Sequence, residues 1–177
     1  MEKSNVEKAR QIISDNKFLT LATCFGNKVW AAALAYVIDE DYNFYFYSAL
    51  DSMHIEHIKY HPEVALTIFN STLSPDQADG LQIAAIVGQV EKEKLSQIVN
   101  FYYHQMFPDP DVRARWQAPY EHFLKNEFPF QRFFMIVPTE IYKLDTSVLE
   151  VDRRLEIKLE ELKEKPAKFP TLVEYAA

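Results

Sequence analysis

Three histidines, His54, His57 and His61, follow one another at i, i+3 and i+7, a spacing that sets imidazoles along one face of a helix. Imidazoles so spaced can converge on a metal ion. No carboxylate or cysteine is placed with them to complete a ligand set, so no metal site is assigned, and His57 and His61 are expected to form a surface stripe. Cys24 is the single cysteine, which excludes an internal disulfide and a zinc knuckle; lacking a His-plus-acid pattern around it, it is expected to be a buried strand residue. No Ser-His-Asp or paired-carboxylate arrangement emerges from spacing, and no catalytic residue is assigned. The only glycines are Gly26, Gly80 and Gly88, too few and too scattered for a phosphate-cradling loop of the Rossmann or P-loop type. A net charge of −7 repels nucleic acid and anionic membranes.

The elements that must position these residues are mostly strands. The 177-residue length fits about one domain. Aromatic residues make up 14 %, with ten Tyr and thirteen Phe, a composition that favours strands. Residues Lys3 to Asn16 carry Val6, Ala9, Ile12 and Ile13 on one helical stripe, with Ser4 or Asn5 as cap. A strand at Phe18 to Thr23, a turn at Phe25-Gly26-Asn27 and a strand at Val29 to Ile38 make a hairpin. Asn43 to Ser48 alternates Phe44 and Phe46 with Tyr45 and Tyr47, as expected of a strand covered on both faces. A helix from Ser52 to His61 stops at Pro62, and a strand at Val64 to Phe69 follows.

After a loop over Asn70 to Asp79 comes a strand at Leu81 to Val90, with Gly88 hinting at a bulge or close approach. Helices are expected at Leu95 to Phe107 and at Arg113 to Leu124, the latter kinked or split at Pro119. A strand pair at Phe130 to Val137 and Ile141 to Asp145 completes the set. The expected fold is mainly β: an antiparallel six-stranded barrel with peripheral helices, spanning residues 1–147 with its N-terminal helix. Residues 148–177 are expected to form a charged helical tail. The charged N-terminus lacks the apolar stretch of a secretory signal, and no apolar run reaches the roughly 18 residues of a membrane span, so a cytoplasmic location is expected.

The order of these elements, with one short helix between the third and fourth strands, resembles the pyridoxamine 5′-phosphate oxidase-like FMN-binding split barrels. The likeness is carried by Phe46-Tyr47-Ser48-Ala49-Leu50-Asp51-Ser52-Met53-His54 and by His61-Pro62-Glu63-Val64-Ala65-Leu66. The resemblance implies FMN held at a homodimer interface, with no nucleic-acid or membrane partner. It places cofactor contacts at Tyr47 and Ser48 on the strand end, at Ser52, Met53 and His54 on the helix start, and along strand two at Trp30, Ala31, Ala32 and Ala33. Gln82 falls near a ring-contacting glutamine. A helix N-terminus with its unpaired N–H groups suits the phosphate of such a ligand, and Ser52 and His54 add donors; a plain capping role is the alternative for His54.

Members that oxidise the phosphorylated substrate carry Arg and Lys on strand two and Arg-Lys at the helix start. Here those positions hold Trp30, an alanine, Met53 and His54, and the only Lys or Arg between Lys28 and Lys92 is Lys59. Arg113, Arg115 or Arg132 of a partner subunit would then supply the missing charge. The resemblance thus implies an FMN-dependent oxidoreductase on an unknown small molecule rather than a true pyridoxamine-phosphate oxidase. A non-catalytic carrier of flavin, haem, deazaflavin or another planar ligand is the alternative, and a barrel that has lost its ligand, with Trp30 and Met53 in the pocket, is the third.

Overall fold

The computed structural model describes residues 3–127, 130–145, 153–164 and 171–175. Helix α1 (Asn5–Asp15) starts on a capping box: the Glu7 N–H donates to Ser4 Oγ at 3.2 Å and the Ser4 N–H donates to Glu7 Oε2 at 2.9 Å. Its Ala9 and Ile13 are buried. Strands β1 (Phe18–Phe25) and β2 (Lys28–Ala35) form the expected hairpin, turning on Gly26 at φ +58°, where a side chain would be strained.

The chain continues through β3 (Val37–Ile38), β4 (Phe44–Ala49), α2 (Met53–Tyr60), β5 (Glu63–Phe69) and β6 (Gly80–Gln89). Then come α3 (Lys92–Met106), α4 (Pro110–Trp116), β7 (Gln131–Leu144), β8 (Arg154–Glu156) and α5 (Leu159–Lys163).

All strand pairings are antiparallel, in the order β2-β1-β5-β6-β7-β4-β3, with β8 added to β7. The two ends of that order, β2 and β3, are separated in the chain by Tyr36 alone. The sheet must therefore curl until its edges meet, which makes the half-open barrel. Period-2 alternation sends Leu19, Leu21, Leu66, Ile68, Ile83, Phe44, Phe46 and Ile136 into one buried cluster inside it. Helix α3 covers the opposite face of β4 and β7 through Ile98, Phe101, Tyr102 and Tyr103.

Eight strands stand among the described residues where a six-stranded barrel was expected; the seven segments read as strands become eight through one division, one merger and one addition. The segment read as one strand from Val29 to Ile38 divides at the buried Tyr36 into β2 and β3. The pair read at Phe130 to Val137 and Ile141 to Asp145 is one strand, β7: Ala84 faces Glu140 while Ala85 faces Pro138, so Thr139 is a one-residue bulge at a proline that cannot donate to the ladder. Arg154–Glu156 adds β8 where a helical tail was expected. Nor is that region a mere appendage, since Ile157 and Leu162 are buried in the barrel cluster. The rest of the expected tail, residues 148–152, 165–170 and 176–177, lies outside the described residues. Pro119 does split the expected helix, into α4 and a 3-10 turn at Tyr120–Leu124. No helix among the described residues is long and apolar enough to cross a membrane.

Candidate functional site

Two regions carry chemistry, and Thr23, which lines the second and contacts His57 of α2, links them. The first is the junction of β4 with α2. Ser52 is the N-cap of α2, but its hydroxyl donates to the Ala49 carbonyl at 2.8 Å rather than accepting from the helix. Ser48 Oγ lies 3.1 Å from Ser52 Oγ and 2.9 Å from His54 Nε2, and Ser52 Oγ is 3.3 Å from the same nitrogen. The first bond within the helix runs from the Glu56 N–H to the Ser52 carbonyl, so the N–H groups of Met53, His54 and Ile55 precede it.

Burial, with a smaller contribution from nearby His57, holds the His54 imidazole below its ordinary pKa. At neutral pH His54 is thus the uncharged member of a hydroxyl-imidazole cluster. Two cations lie by this junction: Lys59, whose Nζ donates to the Leu50 carbonyl at 3.1 Å, and Arg132, the register partner of Ser48 across β4 and β7. The Arg132 guanidinium donates to the Lys125 and Gln131 carbonyls at 2.9 and 2.8 Å and to Asn126 Oδ1 at 2.8 Å. Arg132, one of the arginines considered for a loan from a partner subunit, is thus one strand from Ser48 on the same chain; β4 and β7 being far apart in sequence, only the register reveals it.

His57 is 3 % exposed, so it is not a surface residue: its Nδ1 lies 3.1 Å from Thr23 Oγ1. Helix α2 packs on β1 because the apolar Ile55 and Ile58 flank this contact. His61 leaves the helix face altogether, capping α2 and placing Nδ1 2.7 Å from Glu63 Oε2. A carboxylate only accepts, so Nδ1 carries the proton in this contact. Among the described residues no group of three or more His, Cys, Asp or Glu side chains is gathered for a metal.

The second region is the outer face of β2, β1, β5 and β6. The register aligns Ala31 with Ala22, Ala22 with Ala65, and Ala65 with Ala84. Four alanines thus cross four strands in one row. At about 4.8 Å per strand the row is about 14 Å long. Beside it runs a second row, Ala33, Thr20, Thr67, Gln82 and Tyr142.

Two hollows of about 370 and 510 Å³ lie over these rows and share Ala22 and Ala65. Gln82 and Tyr142 line one; Cys24, Val29, Trp30 and Glu63 line the other. Together they form a shallow apolar trough. Trp30 also faces Thr23 across β1 and β2, so the trough ends one residue from the hydroxyl that holds His57. Cys24 is only half-buried and lines this trough instead of the core, because its register puts it on the outward set of β1.

Of the residues anticipated as cofactor contacts, Ser48, Ser52 and His54 form one hydrogen-bonded cluster, and Met53 stands exposed beside it. Trp30, Ala31 and Gln82 line the trough, and Ala33 stands in its second row. Ala32 pairs with the buried Leu21 and belongs to the inward face. Tyr47 is kept from both regions, packed among Tyr102, Tyr103, Phe123 and Phe133 under α3. Ala22, Ala65 and Ala84 escaped sequence reasoning, since nothing but strand register unites them.

A curled antiparallel barrel with a short helix between β4 and β5 and an open, small-residue outer face defines a split barrel. The chain belongs to the pyridoxamine 5′-phosphate oxidase family, whose model matches residues 6–145. It is 30 % identical over 105 residues to a UPF0306 protein of Photorhabdus laumondii, a match covering 59 % of this chain and 73 % of that one. Solved structures of like fold include a haem-binding protein from Mycobacterium smegmatis, at TM-score 0.67 and 13 % identity, covering 93 % of this chain and 62 % of that chain. Another is an FAD-binding protein from Mesorhizobium loti, at TM-score 0.56 and 12 % identity, covering 77 % and 89 %. A third is the haem storage protein HutZ from Vibrio cholerae, at TM-score 0.57 and 13 % identity, covering 76 % and 90 %. At these identities the solved structures speak for the fold alone.

Proposed function

We propose that this protein binds FMN as a homodimer, the ring lying on the alanine row and a second copy closing the trough, and that it is an oxidoreductase acting on a small molecule. The observation that carries the reading is the row Ala31, Ala22, Ala65, Ala84 on an exposed sheet face. Side chains this small let a flat ring approach the backbone. Around them Phe18, Val29, Phe69, Ile86 and Val137 are exposed on the same face, and monomers rarely leave so extended an apolar surface uncovered. A two-fold axis would cover it with the same face of a second chain.

The phosphate end fits the group as well. Ser48, the three leading N–H groups of α2 and the Arg132 guanidinium offer donors and positive charge at one strand end, while neutral His54 contributes an imidazole rather than a charge. Bound flavin would supply hydride or single-electron transfer; the chain's own part is to hold the ring flat, exclude water from it and set the donors at its edges.

A haem carrier on the same barrel is the second reading, favoured by His61. Its Nδ1–H is held by Glu63 at the rim of the trough, the arrangement by which a carboxylate orients an imidazole toward a metal. Titrating the purified protein with FMN and with haemin decides between them. Flavin fluorescence quenched on binding, and weakened binding in Arg132→Ala and Ser48→Ala, supports the leading reading; a Soret shift lost in His61→Ala supports the second. A protein that takes up neither ligand refutes both. NADH or NADPH oxidation by the flavin-loaded protein then separates enzyme from carrier.

A further inference from the structure

We infer that Arg154 fixes the side-chain amide of Gln82 so that its two N–H donors face the trough, and that this pair recognises an electron-rich oxygen edge, carbonyl or carboxylate, on the bound ligand. The inference rests on the reading above that a planar ligand occupies the trough, and it names which edge of the ligand lies at this end.

Arg154 Nε donates to Gln82 Oε1 at 2.8 Å. A guanidinium has donors and no acceptor, so the amide oxygen must turn toward it and the amide nitrogen away. Gln82 stands in the outward row between Thr67 and Tyr142 and lines the trough. Among the described residues its Nε2 makes no hydrogen bond. Without Arg154 the amide could flip and present either an acceptor or a donor; with it, only the donor faces the ligand. The trough-lining residues include no Lys or Arg, and Arg154 reaches this end through its direct contact with Gln82.

Arg154 arrives on β8, held by backbone pairing of Leu144 with Arg154 and Tyr142 with Glu156. It therefore lies beyond residues 6–145, the stretch matched to the family, and is a feature of this chain's own C-terminal segment. An oxygen edge of that kind comes from two sources: the carbonyl-rich side of a flavin ring, where negative charge collects on reduction, or a haem propionate.

The test is titration of FMN and of haemin into the wild-type protein, Gln82→Glu, Arg154→Met and Arg154→Lys, with thermal melting of each ligand-free variant. Gln82→Glu keeps and strengthens the bond to Arg154, so β8 stays pinned and the melting temperature holds, yet it presents an acceptor to the ligand. Affinity is expected to fall about tenfold or more, the scale of one hydrogen bond to an electron-rich group replaced by repulsion. Arg154→Met is expected to lose several-fold, and Arg154→Lys, which keeps a donor toward Oε1, to recover part of that loss. A fall in the FMN arm assigns the flavin edge; a fall in the haemin arm assigns the propionate. If wild type binds and Gln82→Glu binds as tightly, the inference is overturned and the ligand reading stands. If affinity and melting temperature fall together in every variant, Arg154 acts only on folding and the inference is overturned. If wild type binds neither ligand, the ligand reading fails and takes this inference with it.

Discussion

Ala65 lies at the centre of the trough, flanked in register by Ala22 and Ala84 and shared by both hollows, which makes Ala65→Glu a sharp perturbation. In an isolated monomer the new carboxylate would be solvated, because Ala65 is exposed on β5. Ala and Glu are both poor strand formers, so propensity changes little. The monomer should lose no more than about 0.5 kcal/mol, which is about 2 °C or less in melting temperature for a chain of this size. Covering the trough with a ring or a second chain is another matter, since the carboxylate would be taken from water with no cation lining the hollow to pair with it. Such desolvation costs about 3 kcal/mol or more, a little over a hundredfold in the dissociation constant. Ala65→Ser, small and uncharged, should bind within a few-fold of wild type. The assays are sedimentation for the dimer, flavin fluorescence for the ligand and circular dichroism for the fold. An Ala65→Glu protein that is dimeric and binds FMN as tightly as wild type would refute the placement of both at this face.

Three further outcomes follow from single contacts. His54 is held below its ordinary pKa in the folded chain, so the unfolded chain binds the proton more tightly; stability is full above about pH 6.5 and falls as pH drops through the folded value, and urea melts at several pH values should show that slope flattened in His54→Gln. The Lys143 side chain is fully buried, with Nζ 2.7 Å from Asp79 Oδ2 and 2.9 Å from the Leu144 carbonyl. Asp79→Asn leaves that ammonium unpaired and should destabilise by about 3 kcal/mol, whereas Lys143→Met should cost far less; equal losses in chemical denaturation would contradict the pairing. Gly26→Ala, at φ +58° with no neighbouring atom to clash, should cost about 1 kcal/mol through backbone strain alone, read as a downward shift in melting temperature.

Local pattern carried much of the fold. The stripe of Ala9 and Ile13, the Gly26 turn, the doubly covered strand at Phe44 to Ala49 and the stop at Pro62 are all written in neighbouring residues, and each element formed where its pattern stood. The departures are places where tertiary structure overrode a local signal. Tyr36 is as hydrophobic as its neighbours, so nothing local announces that the strand must break there; the break is imposed by closing the barrel, and Tyr36 is anchored by its hydroxyl donating to the Ile13 carbonyl at 2.7 Å. Pro138 reads as a strand stop, yet the bulge at Thr139 lets β7 run through it. His57 reads as polar and therefore exposed, but the inward hydroxyl of Thr23 makes burial affordable for one imidazole face.

The candidate site was legible where it is contiguous in sequence and hidden where it is assembled by register. Ser48, Ser52 and His54 lie within seven residues and meet as their spacing suggests. The missing positive charge was a conclusion drawn from the same stretch, and it holds for that stretch alone. Cross-strand pairing brings Arg132 opposite Ser48, and β8 brings Arg154 to Gln82, so a cation stands beside each of the two regions although the sequence from Lys28 to Lys92 holds only Lys59. The alanine row itself is uncharged and flat, with the carboxyl-bearing Glu140 next in register and Glu63 lining the adjoining hollow. An acidic chain therefore presents an apolar bed rimmed by both signs of charge, which suits a planar ligand: dispersion and water exclusion along the ring, hydrogen bonds where oxygen lies. Net charge describes long-range repulsion, whereas the proposed binding at this face depends on which side chains strand register sets around the row.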